Sequence, residues 1–266
     1  MTKSGGRPRG PLVLLTNDDG FFSDGINALA RSIGQIADCF IVAPDREKSA
    51  TSLALTLHHP LRAQKIRPRV YAVDGTPADC IYVAIQKLLP GRPDLIISGI
   101  NHGPNLGQQD ISYSGTVAGA VQGTFLEIPS LAVSLLPDEK GRFPFESASR
   151  LIAALAEKLV PNKIPKGITL NINIPADPPK GIRITSLGWK RYNPEIIEKK
   201  DPRKNIYYWI GNGKPLVVGG RGSDIEAVQA GYVSITPLHS DLTDFKALKN
   251  SLFQEAVSLP LKKILA

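Results

Sequence analysis

The chain has 266 residues, 42% of them hydrophobic and 21% charged, with a formal net charge of +8. That length suits one large α/β domain or a core with an appendage, and the composition excludes a disordered chain. No apolar run approaches the roughly 18 residues that span a bilayer, and "MTKSGGRPRG" lacks the apolar stretch of a secretory signal, so a flexible leader over 1–10, no membrane partner and a cytoplasmic location are expected.

The excess positive charge suits an anionic partner. The basic residues are scattered, apart from "KRYNPEIIEKKDPRK" (Lys190 to Lys204), which also carries acids and reads as a solvated loop. Stripes and stacking aromatics are missing, so a small anionic substrate is expected and a nucleic-acid polymer is not. Cys39 and Cys80 each lie in an apolar segment without a CxxC partner. They read as buried thiols in a reducing compartment, with no zinc site or disulfide framework.

Along the chain, short apolar runs alternate with helix-like segments, the rhythm of a parallel sheet with crossover helices. "LVLLT" reads as the first strand. A helix follows from about Ser23, with Ile26, Leu29, Ala30 and Ile33 at helical spacing and Ser23 or Asp24 as its cap. "CFIVAP" is the second strand and ends at "DREKSATS"; "SLALTLHHPLRAQKI" and "RVYAVDG" read as shorter strands. Thr76-Pro77 has the form of a cap followed by proline at the first helical position, opening a helix through "ADCIYVAIQKLL". "DLIISGI" is a strand ending at "NHGPNLGQQD"; "YSGT" leads into a helix, "LAVSLL" is a strand and "SASRLIAALAEKLV" an amphipathic helix. From about Ile164 the runs "GITLNINIP", "GIRITSLGW", "IYYWIGN" and "GYVSITPL" are strand-rich. They suggest a core over 11–163 and, over 164–266, the rest of the core with a β-rich extension; a single compact unit is the alternative.

Three strands end in polar clusters: "TNDDG", "PDREKSATS" and "SGINHGPN". In open α/β sheets ligands bind beyond the carboxyl ends of the strands, so parallel neighbours would bring these ends to one edge. Asp18 and Asp19 are adjacent like charges, and Gly20 lets the backbone turn so that both reach one ion. A hard divalent cation such as magnesium or manganese would relieve their repulsion; otherwise one caps a turn and the other is solvated. Ser49 and Asn101 read as further oxygen donors or as turn residues. Ser114, Gly115 and Thr116 open a helix and read as a phosphate cradle or as an ordinary N-cap. Asn105 and Gly107 would line the same pocket or form a turn, Asp45 and Arg46 would pair with each other or order the loop, and His102 reads as an acid or base or, more often for a loop histidine, as neither. The nucleotide motifs G-x-x-x-x-G-K-[ST] and G-x-G-x-x-G and the esterase elbow G-x-S-x-G are absent. A phosphatase with an aspartyl nucleophile would want a second Asp two positions on, where Gly20 stands.

"LLTNDDG", "VAPDREKSATSLALTL", "GTPADC", "PDLIISGINHGPNLG", "YSGTVAGA" and "SDIEAVQAGYVSITPL" stand in the order and spacing of the SurE family of stationary-phase survival nucleotidases. The chain resembles that family from Leu12 to Leu238. The resemblance implies a Rossmann-like three-layer α/β sandwich whose sheet is mostly parallel, with the strand-rich C-terminal extension exchanged between subunits of a homodimer or tetramer. It implies a metal-dependent phosphomonoesterase acting on nucleoside 5′- and 3′-monophosphates, and on short polyphosphate. One divalent ion, Mg2+ or Mn2+, would be held by Asp18, Asp19, Ser49 and Asn101, with Asp18 and Asp19 also catalytic. Phosphate would be bound by Asn105, Ser114, Gly115 and Thr116. Two departures stand out. The family usually has Ser-Gly-Ala-Ser where this chain has Ser49-Ala50-Thr51-Ser52, and Gly107 to Tyr113 is about one residue longer. The lost glycine implies a tighter loop beside Ser49. The alternatives are a nucleotide-binding regulator without turnover, and a phosphatase in which Asp18 is the nucleophile.

Overall fold

The computed structural model describes residues 10–160, 164–211, 213, 215–252 and 255–256. Of the expected leader, residues 1–9 lie outside the described residues.

β1 (Leu12–Thr16) is buried along its whole length, as a strand covered on both faces must be. The chain turns at Gly20 into α1 (Asp24–Ile33), which buries Ile26, Leu29 and Ile33 on one stripe, and β2 (Asp38–Pro44) returns beside β1 in parallel. Residues 52–62 form no strand, contrary to the alternation of Leu53, Leu55 and Leu57. Those leucines are exposed, and the stretch is tied instead to the next helix: Thr56 N donates to Asp79 Oδ1 at 3.0 Å and Thr76 Oγ1 to the Ala54 carbonyl at 2.7 Å. β3 (Ala63–Arg67) and β4 (Val70–Val73) then pair antiparallel. In α2 (Pro77–Val83) Thr76 accepts from Asp79 N while the Asp79 carboxylate accepts from Thr76 N, a reciprocal cap with proline at the first turn. A π-helical turn, Ala84–Leu88, ends this helix.

β5 (Leu95–His102) leads to α3 (Gly107–Tyr113), a short helix for which the sequence predicts no element. Ser114 closes α3 and opens α4 (Gly115–Phe125), followed by β6 (Ser130–Leu135), α5 (Phe145–Leu159) and β7 (Ile168–Ile174). The strand-rich remainder comprises β8 (Ile182–Ile184), β9 (Trp189–Arg191), β10 (Ile196–Lys200), β11 (Ile206–Ile210), β12 (Leu216–Val218), α6 (Asp224–Gln229), β13 (Val233–His239) and α7 (Phe245–Leu248). The cluster from Lys190 to Lys204, expected as a loop, thus contains β10. Its residues pair with the β-branched and aromatic run Ile206–Ile210 in an antiparallel ladder, which satisfies backbone groups that a loop would leave to water.

Among the described residues the main sheet has nine strands, in the order β3-β4-β2-β1-β5-β6-β7-β13-β8. From β4 to β7 every pairing is parallel; β3 and β13 join antiparallel. Helices α1 and α5 pack on one face around Ile26, Leu29, Ile33 and Ile152. α2 and α4 pack on the other, around Cys80, Ile81, Val117 and Ala120. The result is a three-layer α/β sandwich with extra C-terminal strands. Both cysteines are free; Cys80 is buried as expected, whereas Cys39, near the start of β2, is partly exposed. No described helix is long and apolar enough to cross a membrane.

Candidate functional site

The chain passes from β1 to β2 and β4 on one side and later lays β5, β6 and β7 on the other. The order therefore reverses between β1 and β5, which leaves a crevice at their carboxyl ends. Residues 17–20, 45–52 and 101–107 follow β1, β2 and β5 and meet at that edge.

Local bonding fixes the first turn. Asn17, fully buried, donates through Nδ2 to the Gly20 carbonyl at 2.9 Å and to Ser23 Oγ at 2.8 Å, and accepts from Gly20 N at 3.2 Å. Ser23 stands at the N-cap position of α1, but its hydroxyl serves Asn17 and caps no helix amide. Gly20 lies at φ +101°, where a side chain would be strained and would meet the Phe22 ring. This turn holds Asp18 inward, 6% exposed.

The Asp18 carboxylate accepts from the Thr116 hydroxyl, and Gly115 lies directly behind it: a Cβ there would stand 2.7 Å from Asp18 Cβ and 2.8 Å from Oδ2. The structure therefore joins Asp18 to the start of α4. Burial pushes the Asp18 pKa up to about 6, the Thr116 hydroxyl opposes that shift, and the neighbouring Asp19 charge adds to it. Asp19 Oδ2 is buried and has no hydrogen-bond partner. His102 Nδ1 stands 3.4 Å from it, within ion-pairing range but not aligned as a hydrogen bond. The imidazole packs edge-on against Phe145 and Phe143, with ring centroids 4.7 and 5.2 Å away. Its pKa is raised chiefly by Asp19, against the effect of its own partial burial. His102, set aside in the sequence reading, is thus a neighbour of the acidic pair; its signal was its place one residue after Asn101.

The remaining expected site residues divide. Asn101 lies near the end of β5 and donates through Nδ2 to the Gly103 carbonyl at 2.9 Å, leaving its amide oxygen for another partner. Asn105 is buried: Nδ2 donates to Ser134 Oγ at 2.8 Å, and its amide nitrogen donates to Asn173 Oδ1 at 2.8 Å. Its carbonyl accepts from Asn171 and Asn173, each at 3.0 Å. These two asparagines, one face of "NINI" in β7, carry the Asn105 turn and were read only as strand residues. Ser114 Oγ accepts from Val117 N at 3.0 Å and so caps α4. Ser49 stands apart. It is exposed and donates to Glu47 at 2.6 Å, although its loop reaches the site where Lys48 N donates to the Asp18 carbonyl at 2.7 Å. Ala50, at the position where a glycine is usual, lies at φ 56° in the left-handed region. Asp45 and Arg46 pair as expected, at 2.9 Å.

Among the described residues no group of three or more His, Cys, Asp or Glu side chains is placed to hold a metal ion by itself. The donor set is two carboxylates with neutral oxygens, which suits a hard divalent cation more than zinc. A buried Asp19 carboxylate oxygen without a hydrogen bond and an Asp18 pKa raised by burial are both relieved by such a cation. The residues therefore fit the group.

Comparison with known proteins concerns the chain as a whole. Residues 13–194 match the family described as survival protein SurE. The 5'-nucleotidase SurE of Syntrophotalea carbinolica is 46% identical over 238 residues, covering 90% of this chain and 95% of that protein. The 5'-nucleotidase SurE of Geobacter metallireducens is 47% identical over 239 residues, covering 89% and 94%. Among solved structures, the SurE protein from Aquifex aeolicus superposes with a TM-score of 0.78 at 40% identity, covering 92% of this chain and all of that one. With its ordered motifs, its sheet and its length thus accounted for, the chain belongs to the SurE family.

Proposed function

We propose that this chain is a metal-dependent nucleotidase that hydrolyses nucleoside 5′- and 3′-monophosphates, and short polyphosphate, to release phosphate. The observation that carries the reading is the buried Asp19 oxygen that no hydrogen bond satisfies, beside Asp18 and set against the N-terminus of α4. Relatives with 46–47% identity named as 5'-nucleotidases support it.

Asp18, Asp19 and the Asn101 amide oxygen would hold one Mg2+ or Mn2+, joined by Ser49 once its hydroxyl turns from Glu47. When bound, the ion would supply positive charge against the phosphate and acidify the attacking water. The chain's own groups do the rest. Asp18 and Asp19 are the bases at hand for the water's proton, and Thr116 and His102 orient them. The amides that open α4, at Gly115 and Thr116, have no partner within the helix; the Thr116 amide already serves the Asp18 carboxylate, and the Gly115 amide would meet an incoming anion. With the Ser114 hydroxyl and the Asn105 amide, the Gly115 amide would neutralise the oxygens of the phosphoryl group as it passes to water. Base and ribose need only loose contacts, consistent with a broad substrate range.

The test is hydrolysis of a nucleoside-monophosphate panel with and without magnesium or manganese, for the native protein and Asp19→Asn. Metal-dependent release of phosphate that falls by at least about a hundredfold in the variant is expected. Equal rates across all four conditions would sink the site assignment. Metal-free binding of nucleotide without turnover would instead support a regulator. An acyl phosphate trapped on Asp18 with labelled substrate would replace the water mechanism.

We further propose that the strand-rich segment around β10 and β11 is an oligomerisation arm forming a homodimer or tetramer, and that the protein works in the cytoplasm, where its two free thiols are at home.

A further inference from the structure

The segment before the phosphate cradle is held from outside the core. α3 and β9 meet along a seam: Gln108 N donates to the Gly188 carbonyl at 3.1 Å, and Tyr192 N donates to Gln109 Oε1 at 2.6 Å. Asp224, fully buried at the start of α6, accepts from both Gly107 N and Gly188 N at 2.8 Å. At the centre Lys190 Nζ donates to Asp110 Oδ2 at 2.6 Å, with the two side chains only 12% and 10% exposed.

Asp110 touches both halves of the cradle. Its Oδ2 also accepts from Leu106 N at 3.2 Å, one residue past Asn105, and its carbonyl accepts from Ser114 N at 2.9 Å. Lys190 also packs its Cβ against Gly107, 2.9 Å from where a Cβ would stand there, and its ammonium lies over the Tyr192 ring, 4.9 Å from the centroid. Burial works against its charge, but the bonds with Asp110 and Tyr192 outweigh that and hold its pKa above the ordinary value. A buried ammonium with one carboxylate partner fixes that carboxylate far more firmly than a surface pair would. The same carboxylate ties the Leu106 turn to α3, whose last turn ends at Ser114 through the Asp110 carbonyl.

We propose that Lys190 and Asp110 are positioning residues for phosphate recognition: a lysine of the β-rich extension fixes the spacing of the Asn105–Leu106 turn and the Ser114–Thr116 helix start. The proposal rests on the nucleotidase reading and deepens it, making the extension a structural part of the phosphate site as well as an appendage. It assigns the pair to the cradle and not to the cation-holding acids.

The experiment compares wild type, Lys190→Met, Lys190→Arg and Asp110→Asn in steady-state hydrolysis of a nucleoside monophosphate at saturating Mn2+. It adds inhibition by inorganic phosphate, phosphate binding by calorimetry, the Mn2+ activation midpoint and thermal melting. In Lys190→Met, KM and the phosphate inhibition constant should both rise about tenfold while kcat changes less than about threefold. The Mn2+ midpoint should stay put, and Lys190→Arg should restore most of the affinity. A purely structural role would lower kcat with the folded fraction and leave both constants alone. Unchanged constants in a folded Lys190→Met, or a change confined to the Mn2+ midpoint, would overturn the proposal. If Lys190→Met does not fold, Asp110→Asn decides by the same two constants, since it keeps an oxygen for Leu106 N and removes only the charge. A wild type that hydrolyses no nucleoside monophosphate would instead count against the nucleotidase reading. Calorimetry then still judges the pair: weaker phosphate binding in Lys190→Met supports it, and equal binding overturns it.

Discussion

Gly115 has no room for a side chain, because the space a Cβ would take is filled by the Asp18 carboxylate. Gly115→Ala must therefore push Asp18 and the start of α4 apart, and neither can yield easily: Asp18 is buried and tied to Thr116, and α4 is packed on the sheet. The expected outcome is a loss of at least about a hundredfold in kcat/KM, since displacement of about an ångström suffices for that. Far-UV circular dichroism should stay native. Activity within a fewfold of wild type would show that the close approach of Gly115 to Asp18 is not needed. Ala50 poses the opposite case. Its left-handed backbone costs a non-glycine residue roughly 1–2 kcal/mol, while glycine returns roughly 0.4–1 kcal/mol of unfolded-state entropy. Ala50→Gly should stabilise the protein by about 0.8 kcal/mol, the difference of these two, read as a higher urea midpoint at unchanged m-value. A lower midpoint would contradict the backbone conformation at this residue.

At the scale of elements, one carboxylate does more than cap a helix. Asp79, 2% exposed, accepts from Thr76 N at 2.9 Å and, through its other oxygen, from Thr56 N at 3.0 Å. It fastens the loop over 52–62 to the start of α2. Asp79→Ala leaves one buried and one part-buried amide without an acceptor, so a loss on the order of 2–4 kcal/mol is expected in urea unfolding, together with earlier proteolysis within that loop. Thr76→Ala, which loses the other half of the cap, should cost about 1 kcal/mol. Thr76-Pro77 could be read from sequence because capping is chemistry of neighbours, and β1, β2 and β5 because buried parallel strands are continuous apolar runs. α3 was not legible: "GQQDISY" is seven residues without an apolar stripe, and it is helical because β9 and Asp224 hold it. Leu53, Leu55 and Leu57 misled in the other direction, since alternation signals a strand only where a neighbouring strand is there to pair. Within the site, Asp18 and Asp19 declared themselves as like charges at a strand end. Asn171, Asn173 and Asp224 act across 66, 68 and 117 residues of chain, a separation that no local pattern encodes.

For the molecule as a whole, the ribbon of β10 and β11 presents a large apolar surface. β10 and β11 pair only with each other, and Ile196, Ile197, Ile206, Tyr207, Tyr208, Trp209 and Ile210 are all exposed. By the period of two, Ile197, Tyr207 and Trp209 share one face of the ribbon, and Ile196, Ile206, Tyr208 and Ile210 the other. A ribbon apolar on both faces is marginal alone in water, and a contiguous exposed patch of this kind marks an interface. Lys199, Lys200, Arg203 and Lys204 at the tip keep it soluble without covering those faces. A second copy of the chain would cover both faces, so sedimentation equilibrium of the native protein should show a dimer or tetramer at micromolar concentration. Trp209→Ser with Tyr208→Ser should shift the distribution to monomer, because two large aromatic anchors leave the contact. Its intrinsic fold should persist, since the ribbon adds nothing to the packing around Ile26 or Cys80. A native protein that is monomeric at these concentrations, or a double variant that keeps its mass, would remove the ribbon as the arm. A variant that becomes monomeric yet keeps its KM for nucleoside monophosphate would separate assembly from the Lys190–Asp110 seam, which reaches the site within one chain.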